Sequence, residues 1–183
     1  MQDLAKRGIR GLRLYADKAS VKVWPGAPHM ETLWKCAAEH NISLCLLANP
    51  DALLGIAQMC EAHPDTRVVI DHFARIGMKG ASPVDLDRLC RLASFPNTFV
   101  KTSAFYALGL KKPPYEDLAP MVRALRDSFG AARLMWGSDC PYQVQGIHSY
   151  PASIALIQNR LDFLSTEEKH CILRTTAERV FFS

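Results

Sequence analysis

A chain of 183 residues, 49% hydrophobic and 22% charged, has the size and composition of one globular domain over residues 1–183 with a sizeable core. Its 22 basic and 18 acidic residues leave a net charge of +4, yet the longest basic block is Lys111-Lys112, so no nucleic-acid partner and no membrane surface is expected. No apolar run approaches the roughly 20 residues that span a bilayer, and the opening "MQDLAKRGIR" lacks the apolar core of a signal peptide, which makes the cytoplasm the expected location.

Strand-like and helix-like patterns alternate along the chain. "GIRGLRLY" (Gly8–Tyr15) predicts a first strand, followed by the Pro/Gly-rich loop "WPGAPH" and a helix from about Met30 to His40. "ISLCLL" (Ile42–Leu47) is an apolar run too short for a helix; Pro50 and Asp51 then open a helix reaching about Ala62, with Asp51 near its positive end. "RVVID" (Arg67–Asp71) is the third strand, followed by a loop rich in Gly and Lys and a helix from about Val84 to Ala93. "NTFVKTS" (Asn97–Ser103) is the fourth strand, with a helix from Tyr115 to Phe129 after it. "ARLMWGS" is the fifth, and two tail helices follow, the second opened by a capping box at Ser165–Glu168.

Strands apolar on both faces, separated by helices, predict a parallel α/β sheet of βαβ units. Two architectures suit that pattern, a doubly wound open sheet or a (β/α) barrel. A dinucleotide-binding turn is not supported, because "GIRG" precedes a strand instead of following one. Both architectures gather functional groups at the carboxyl ends of their strands.

Those ends carry Asp71, His72 and Arg75 after the third strand, Lys101, Thr102 and Ser103 on the fourth, and Gly137, Ser138 and Asp139 after the fifth; the first strand adds Arg10 and Arg13. Each has a structural reading of its own: Asp139 as a turn or cap residue, His72 as a packed core imidazole, Arg75 as a solvated charge, Lys101 as the neutraliser of a neighbouring carboxylate. Convergence in one cleft favours chemistry. Imidazole and carboxylate can hold a metal or serve as electrophile and general base, and arginine forks suit carboxylated substrates. The six cysteines (Cys36, Cys45, Cys60, Cys90, Cys140 and Cys171) form no C-x-x-C pair and are expected to be reduced and mostly buried.

The segments "VVIDHFARIG", "NTFVKTSAFY" and "ARLMWGSDCPY", in that order and each on a strand, resemble the last strands of the amidohydrolase-related barrel enzymes, the branch of 2-pyrone-4,6-dicarboxylate lactonase, sugar-lactone hydrolases and some decarboxylases. "RGIRGLRLY" resembles that branch's fourth strand. The resemblance implies a (β/α) TIM-barrel fold and hydrolysis of a small carboxylated lactone or similar cyclic ester. It implies Asp139 as the base that activates water, His72 as the carbonyl or metal partner, and Arg75 with Arg13 as the clamp on substrate carboxylates. A divalent metal, Zn²⁺ or Mn²⁺, would sit on His72 and Asp139; some members work without one.

One departure stands out. The family opens on a first strand bearing H-x-H, and the six histidines here (His29, His40, His63, His72, His148 and His170) contain no such pair. Five strand–helix units imply a barrel incomplete by its first three strands, so a fragment, an inactive truncated paralogue and a metal-dependent decarboxylase all remain as alternatives. Two open barrel edges, at "GIRGLRL" and "ARLMWGS", imply self-association. The loops "YADKASVKVWPGAPH" and "AFYALGLKKPPYED" are expected to shape the pocket.

Overall fold

The structure, a computed structural model, describes residues 1–80 and 82–182; Ala81, in the Gly- and Lys-rich loop, and Ser183 lie outside the described residues. A short helix α1 (Gln2–Lys6) leads into strand β1 (Gly11–Ala16), helices α2 (Lys18–Lys22) and α3 (Pro28–Glu39), strand β2 (Ser43–Ala48) and helix α4 (Leu53–Ala62). Strand β3 (Val68–Ile70), helix α5 (Pro83–Arg91), strand β4 (Thr98–Ser103), helix α6 (Ala119–Phe129) and strand β5 (Leu134–Gly137) come next, followed by α7 (Tyr150–Ala155), α8 (Thr166–His170) and α9 (Thr176–Phe181).

All neighbouring strands pair in parallel, and the sheet order is β1-β2-β3-β4-β5. That order decides between the two architectures. A doubly wound sheet reverses direction at a switch point, whereas an unreversed order is the path of a (β/α) barrel wall. The wall does not close, so β1 and β5 are its edges.

Alternation along the strands sorts the side chains onto two faces. Leu44, Leu46, Val68, Ile70, Val100 and Leu134 pack outward against the helices, in a core with Trp34, Ile56, Met59, Leu89 and Leu125. Cys45, Val69, Phe99 and Met135 face inward, where Val180 of α9 packs on them with Ala177 and Phe181. Burying one such valine stabilises by about 2 kcal/mol. Gly11 is small for this reason, since a Cβ there would stand 3.3 Å from the Phe181 ring. Arg67 and the Ser43 hydroxyl both donate to the Val180 carbonyl, at 2.8 and 3.4 Å, from the amino-terminal ends of the strands. The last helix therefore closes the bottom of the inward face and leaves the carboxyl ends open.

Several boundaries differ from the sequence expectation. β1 starts at Gly11 because Gly8, at φ 87°, turns the chain out of α1. Lys18–Lys22, expected as loop, is helical because Asp17 accepts from Ser20 N at 2.8 Å and donates back to its hydroxyl, forming a capping box. α6 begins at Ala119, as Tyr115 is left-handed and a 3₁₀ turn at Glu116–Leu118 intervenes. The tail holds the expected pair of helical runs: α7, extended by a π-helical turn at Leu156–Arg160, and α8, joined to α9 by another at Cys171–Thr175. The Ser165 capping box is present. All six cysteines are free, but only Cys45 and Cys60 are buried; Cys140 is exposed beside Asp139. No helix of the described residues is long and apolar enough to cross a membrane.

Candidate active site

The carboxyl end of β3 is where the backbone departs furthest from ordinary geometry. His72, Phe73, Ala74 and Arg75 are all left-handed, with φ of 54, 52, 52 and 58°. Each such non-glycine residue costs about 1 kcal/mol. The turn is held because Phe73 and Ala74 are fully buried in the main core. Strain of this kind, kept at a strand end by packing, places His72 and Arg75 where an ordinary turn would not.

Asp71 continues the inward face of β3 and is completely buried. Its two oxygens meet Arg13 of β1 and Lys101 of β4, each at 2.9 Å. A buried carboxylate needs such partners to offset its desolvation. Lys101 thus takes the neutralising role its position suggests, and the cluster keeps one positive charge in excess. Arg13 remains half-exposed, with donors free to face the open interior.

His72 is buried beside that cluster. Its Nδ1 lies 2.7 Å from Ser103 Oγ of β4, and its Nε2 lies 3.6 Å from Asp139 Oδ1. Burial lowers the His72 pKa; Asp139 and Asp71 oppose the shift, while Arg13 and Lys101 add to it. The ring is accordingly neutral at pH 7, and its Nδ1 is engaged by Ser103, which leaves Nε2 facing the open end of the site.

Asp139 arrives from β5 at φ 53°. It is this residue that turns the chain; Gly137 is still paired in the strand opposite Ser103. Ser138 Oγ accepts from Cys140 N at 3.4 Å. Tyr106, in the short turn after β4, donates to Asp139 Oδ2 at 2.8 Å. Burial first, then its bond to Asp139, push the Tyr106 phenol far above its usual range.

Arg75 sits at the side of this group. Its guanidinium donates to Asn49 Oδ1 at 2.9 Å and lies 5.4 Å from the centre of the Tyr15 ring. Arg75 and Asn49 border a cavity of about 470 Å³ that also takes in Lys79 and Arg88. The structure thus brings His72 and Asp139 face to face, ties Arg13 to Asp71, and places Arg75 on the wall of a pocket of mixed charge, where Asp85 pairs with Arg88. Ser103 and Asp71, named among the strand-end groups without a role, take theirs from alternation, which sets both on the inward face. Tyr15 shares the face of Arg13 on β1, and Tyr106 lies in a loop expected to shape the pocket; Asn49, in the turn after β2, had no signal.

A metal ion would find His72 Nε2 and Asp139 Oδ1 here. Among the described residues no third His, Cys, Asp or Glu joins them. Zinc takes three or four protein ligands, so these residues alone do not fit a bound ion.

A family model described as Amidohydrolase matches residues 1–182. The L-fucono-1,5-lactonase of Burkholderia ambifaria is 31% identical over 134 residues, covering 73% of this chain and 46% of the lactonase; the chain thus spans about half the length of that relative. A crystal structure of a probable 2-pyrone-4,6-dicarboxylic acid hydrolase from Acinetobacter baumannii, with citric acid bound, superposes with a TM-score of 0.80 at 24% identity over 98% of this chain and 66% of that one. An amidohydrolase from Burkholderia multivorans with bound zinc gives 0.78 at 21% identity, over 99% of this chain and 69% of that one. With the family model matching over almost its whole length and a lactonase at 31% identity, the chain belongs to the amidohydrolase family, on the branch that includes lactone hydrolases.

Proposed function

We propose that the chain carries the catalytic half of a cytoplasmic hydrolase for small carboxylated lactones or similar cyclic esters. The observation that carries this reading is the approach of Asp139 Oδ1 to His72 Nε2 at 3.6 Å, at the open end of the sheet. A water between them and the substrate gives its proton to Asp139 as its oxygen attacks the ring carbonyl. His72, neutral, with Ser103 donating its hydroxyl proton to Nδ1 in this reading, donates from Nε2 to the carbonyl oxygen as negative charge develops there. Collapse of the tetrahedral intermediate breaks the ring C–O bond, and the proton held by Asp139 passes to the leaving alkoxide. Arg75 and the half-exposed Arg13 hold the substrate carboxylates. No step runs through a metal ion, since the donor set is short by at least one ligand.

The test is hydrolysis of a panel of neutral and carboxylated lactones by the purified chain, with and without Zn²⁺ or Mn²⁺. Carboxylated rings are turned over in preference to neutral ones; absence of turnover on the whole panel sinks the reading. Arg75→Met raises KM for a carboxylated lactone about 10- to 100-fold, the worth of a charge-assisted bond of about 1.5–3 kcal/mol, and leaves KM for a neutral lactone within about twofold. Equal effects on both would remove Arg75 from the clamp.

The same reading includes association of two copies over the free edge of β1, where unpaired backbone groups invite another strand. Exposed Ile9 and Tyr15 flank that edge. Size-exclusion chromatography at micromolar concentration is expected to show a species larger than the monomer; a clean, stable monomer counts against it.

A further inference from the structure

We propose that Tyr106 is a positioning residue for the reaction assigned above: its hydroxyl fixes the Asp139 carboxylate through Oδ2, so that Oδ1 is presented to His72 and the attacking water. The proposal rests on the hydrolase reading for its consequence and on the geometry for its substance.

Asp139 is not held by the means usual for an aspartate at a strand end. An aspartate in such a turn commonly accepts from backbone amides two or three residues on. Here the amide of Cys140 goes to Ser138 Oγ, and the amide of Gln143 goes to the backbone carbonyl of Asp139 at 3.4 Å, not to its side chain. The contact with His72, at 3.6 Å, is too long for a hydrogen bond. The 2.8 Å bond from Tyr106 therefore sets the rotation of the carboxylate about its Cβ–Cγ bond.

Tyr106 is itself immobilised. Its ring stacks on Tyr142, with centroids 6.0 Å apart and planes at 24°, and meets the edge of His148 at 6.0 Å. His148 Nδ1 is bonded to the hydroxyl of buried Tyr115 at 3.0 Å, and that hydroxyl accepts from buried Gln143 at 2.9 Å. Ala104, at φ 59°, bends the chain sharply out of β4 between Ser103, which holds His72, and Tyr106, which holds Asp139. One short segment thus orients both reacting side chains, from the strand that lies between theirs. Because the phenol stays protonated across the working pH range, it remains a donor throughout.

The experiment uses Tyr106→Phe, which keeps the ring and its stacking. With the lactone the wild-type chain turns over best, kcat falls about 10- to 100-fold, the cost of a sub-ångström to 1 Å misplacement of a reacting group, while KM stays within about twofold. A purely structural role would leave kcat in place or move both constants together. The contact is read independently of turnover by ¹⁹F NMR of protein carrying 3-fluorotyrosine, the Tyr106 resonance being assigned by its loss in Tyr106→Phe. That resonance shifts in Asp139→Ala if the bond exists, which supports the proposal; an unmoved resonance overturns it, as does wild-type kcat in Tyr106→Phe. Loss of all turnover in the wild-type chain would overturn the hydrolase reading instead, and leave the fluorine response to decide the contact.

Discussion

Asp139→Asn is expected to lower kcat for lactone hydrolysis about 1,000-fold, within the range of general-base contributions, with the fold intact. The amide has the same shape as the carboxylate, and its oxygen still accepts from Tyr106, so the turn at φ 53° and the ring stack above it lose nothing. What it lacks is the ability to take a proton from water. His72 cannot replace it, since Nδ1 is occupied by Ser103 and the proposed Nε2 proton serves the carbonyl. Lys101 cannot either, being an ammonium in contact with Asp71. The measurement is steady-state kinetics beside a thermal unfolding curve. A rate within tenfold of wild type, with an unchanged unfolding midpoint, would show that another group is the base.

Lys101→Met is expected to carry the largest stability cost of any single change at the site, about 3 kcal/mol, because it leaves a buried carboxylate short of a partner. Methionine keeps most of the lysine stem, so lost packing is minor. Asp71 is completely buried and would retain only Arg13, whose side chain is half in solvent. Arg13→Met should cost distinctly less, about 1 kcal/mol, since a half-exposed cation is screened by water and Lys101 remains on the carboxylate. Urea unfolding of the two variants ranks them. The double variant Asp71→Leu with Lys101→Met should be more stable than Lys101→Met alone, because removing both charges removes the uncompensated one. Equal stability of Lys101→Met and wild type would mean that water already solvates Asp71.

Much of this architecture was legible in the chain. Continuous apolar runs such as "ISLCLL" and "RVVID" predict parallel strands buried on both faces, and all five predicted strands are present. Alternation within them was legible too, which is why Arg13 and Gly11 fall on the face opposite Leu12 and Leu14, and why Lys101 meets a carboxylate. Asp139 and His72 were legible as polar groups at strand ends, and the amidohydrolase resemblance of the segments around them agrees with the family match over residues 1–182. Short capped helices were harder. The capping box at Ser165 was read correctly, whereas that at Asp17, with serine in the acidic position, was passed over for a loop.

The remainder depended on contacts distant in sequence. Pairing order along the sheet, which separates a barrel wall from a doubly wound sheet, is a property of how strands assemble and has no local signature. The seat of α9 is likewise non-local: its apolar positions predict a buried face but do not say that Val180 meets Cys45 and Phe99 on the inside of the wall. Tyr106 belongs to the same class, reaching Asp139 across 33 positions through a left-handed alanine and a 3₁₀ turn. Taken by itself, the sequence determined which strands form, which face each side chain takes, and which titratable groups end on the open rim, because backbone period and hydrophobic pattern are local. Only the tertiary structure decided which of those groups are bound to one another, because the strained turns that aim His72, Arg75 and Asp139 are held by packing from residues far along the chain.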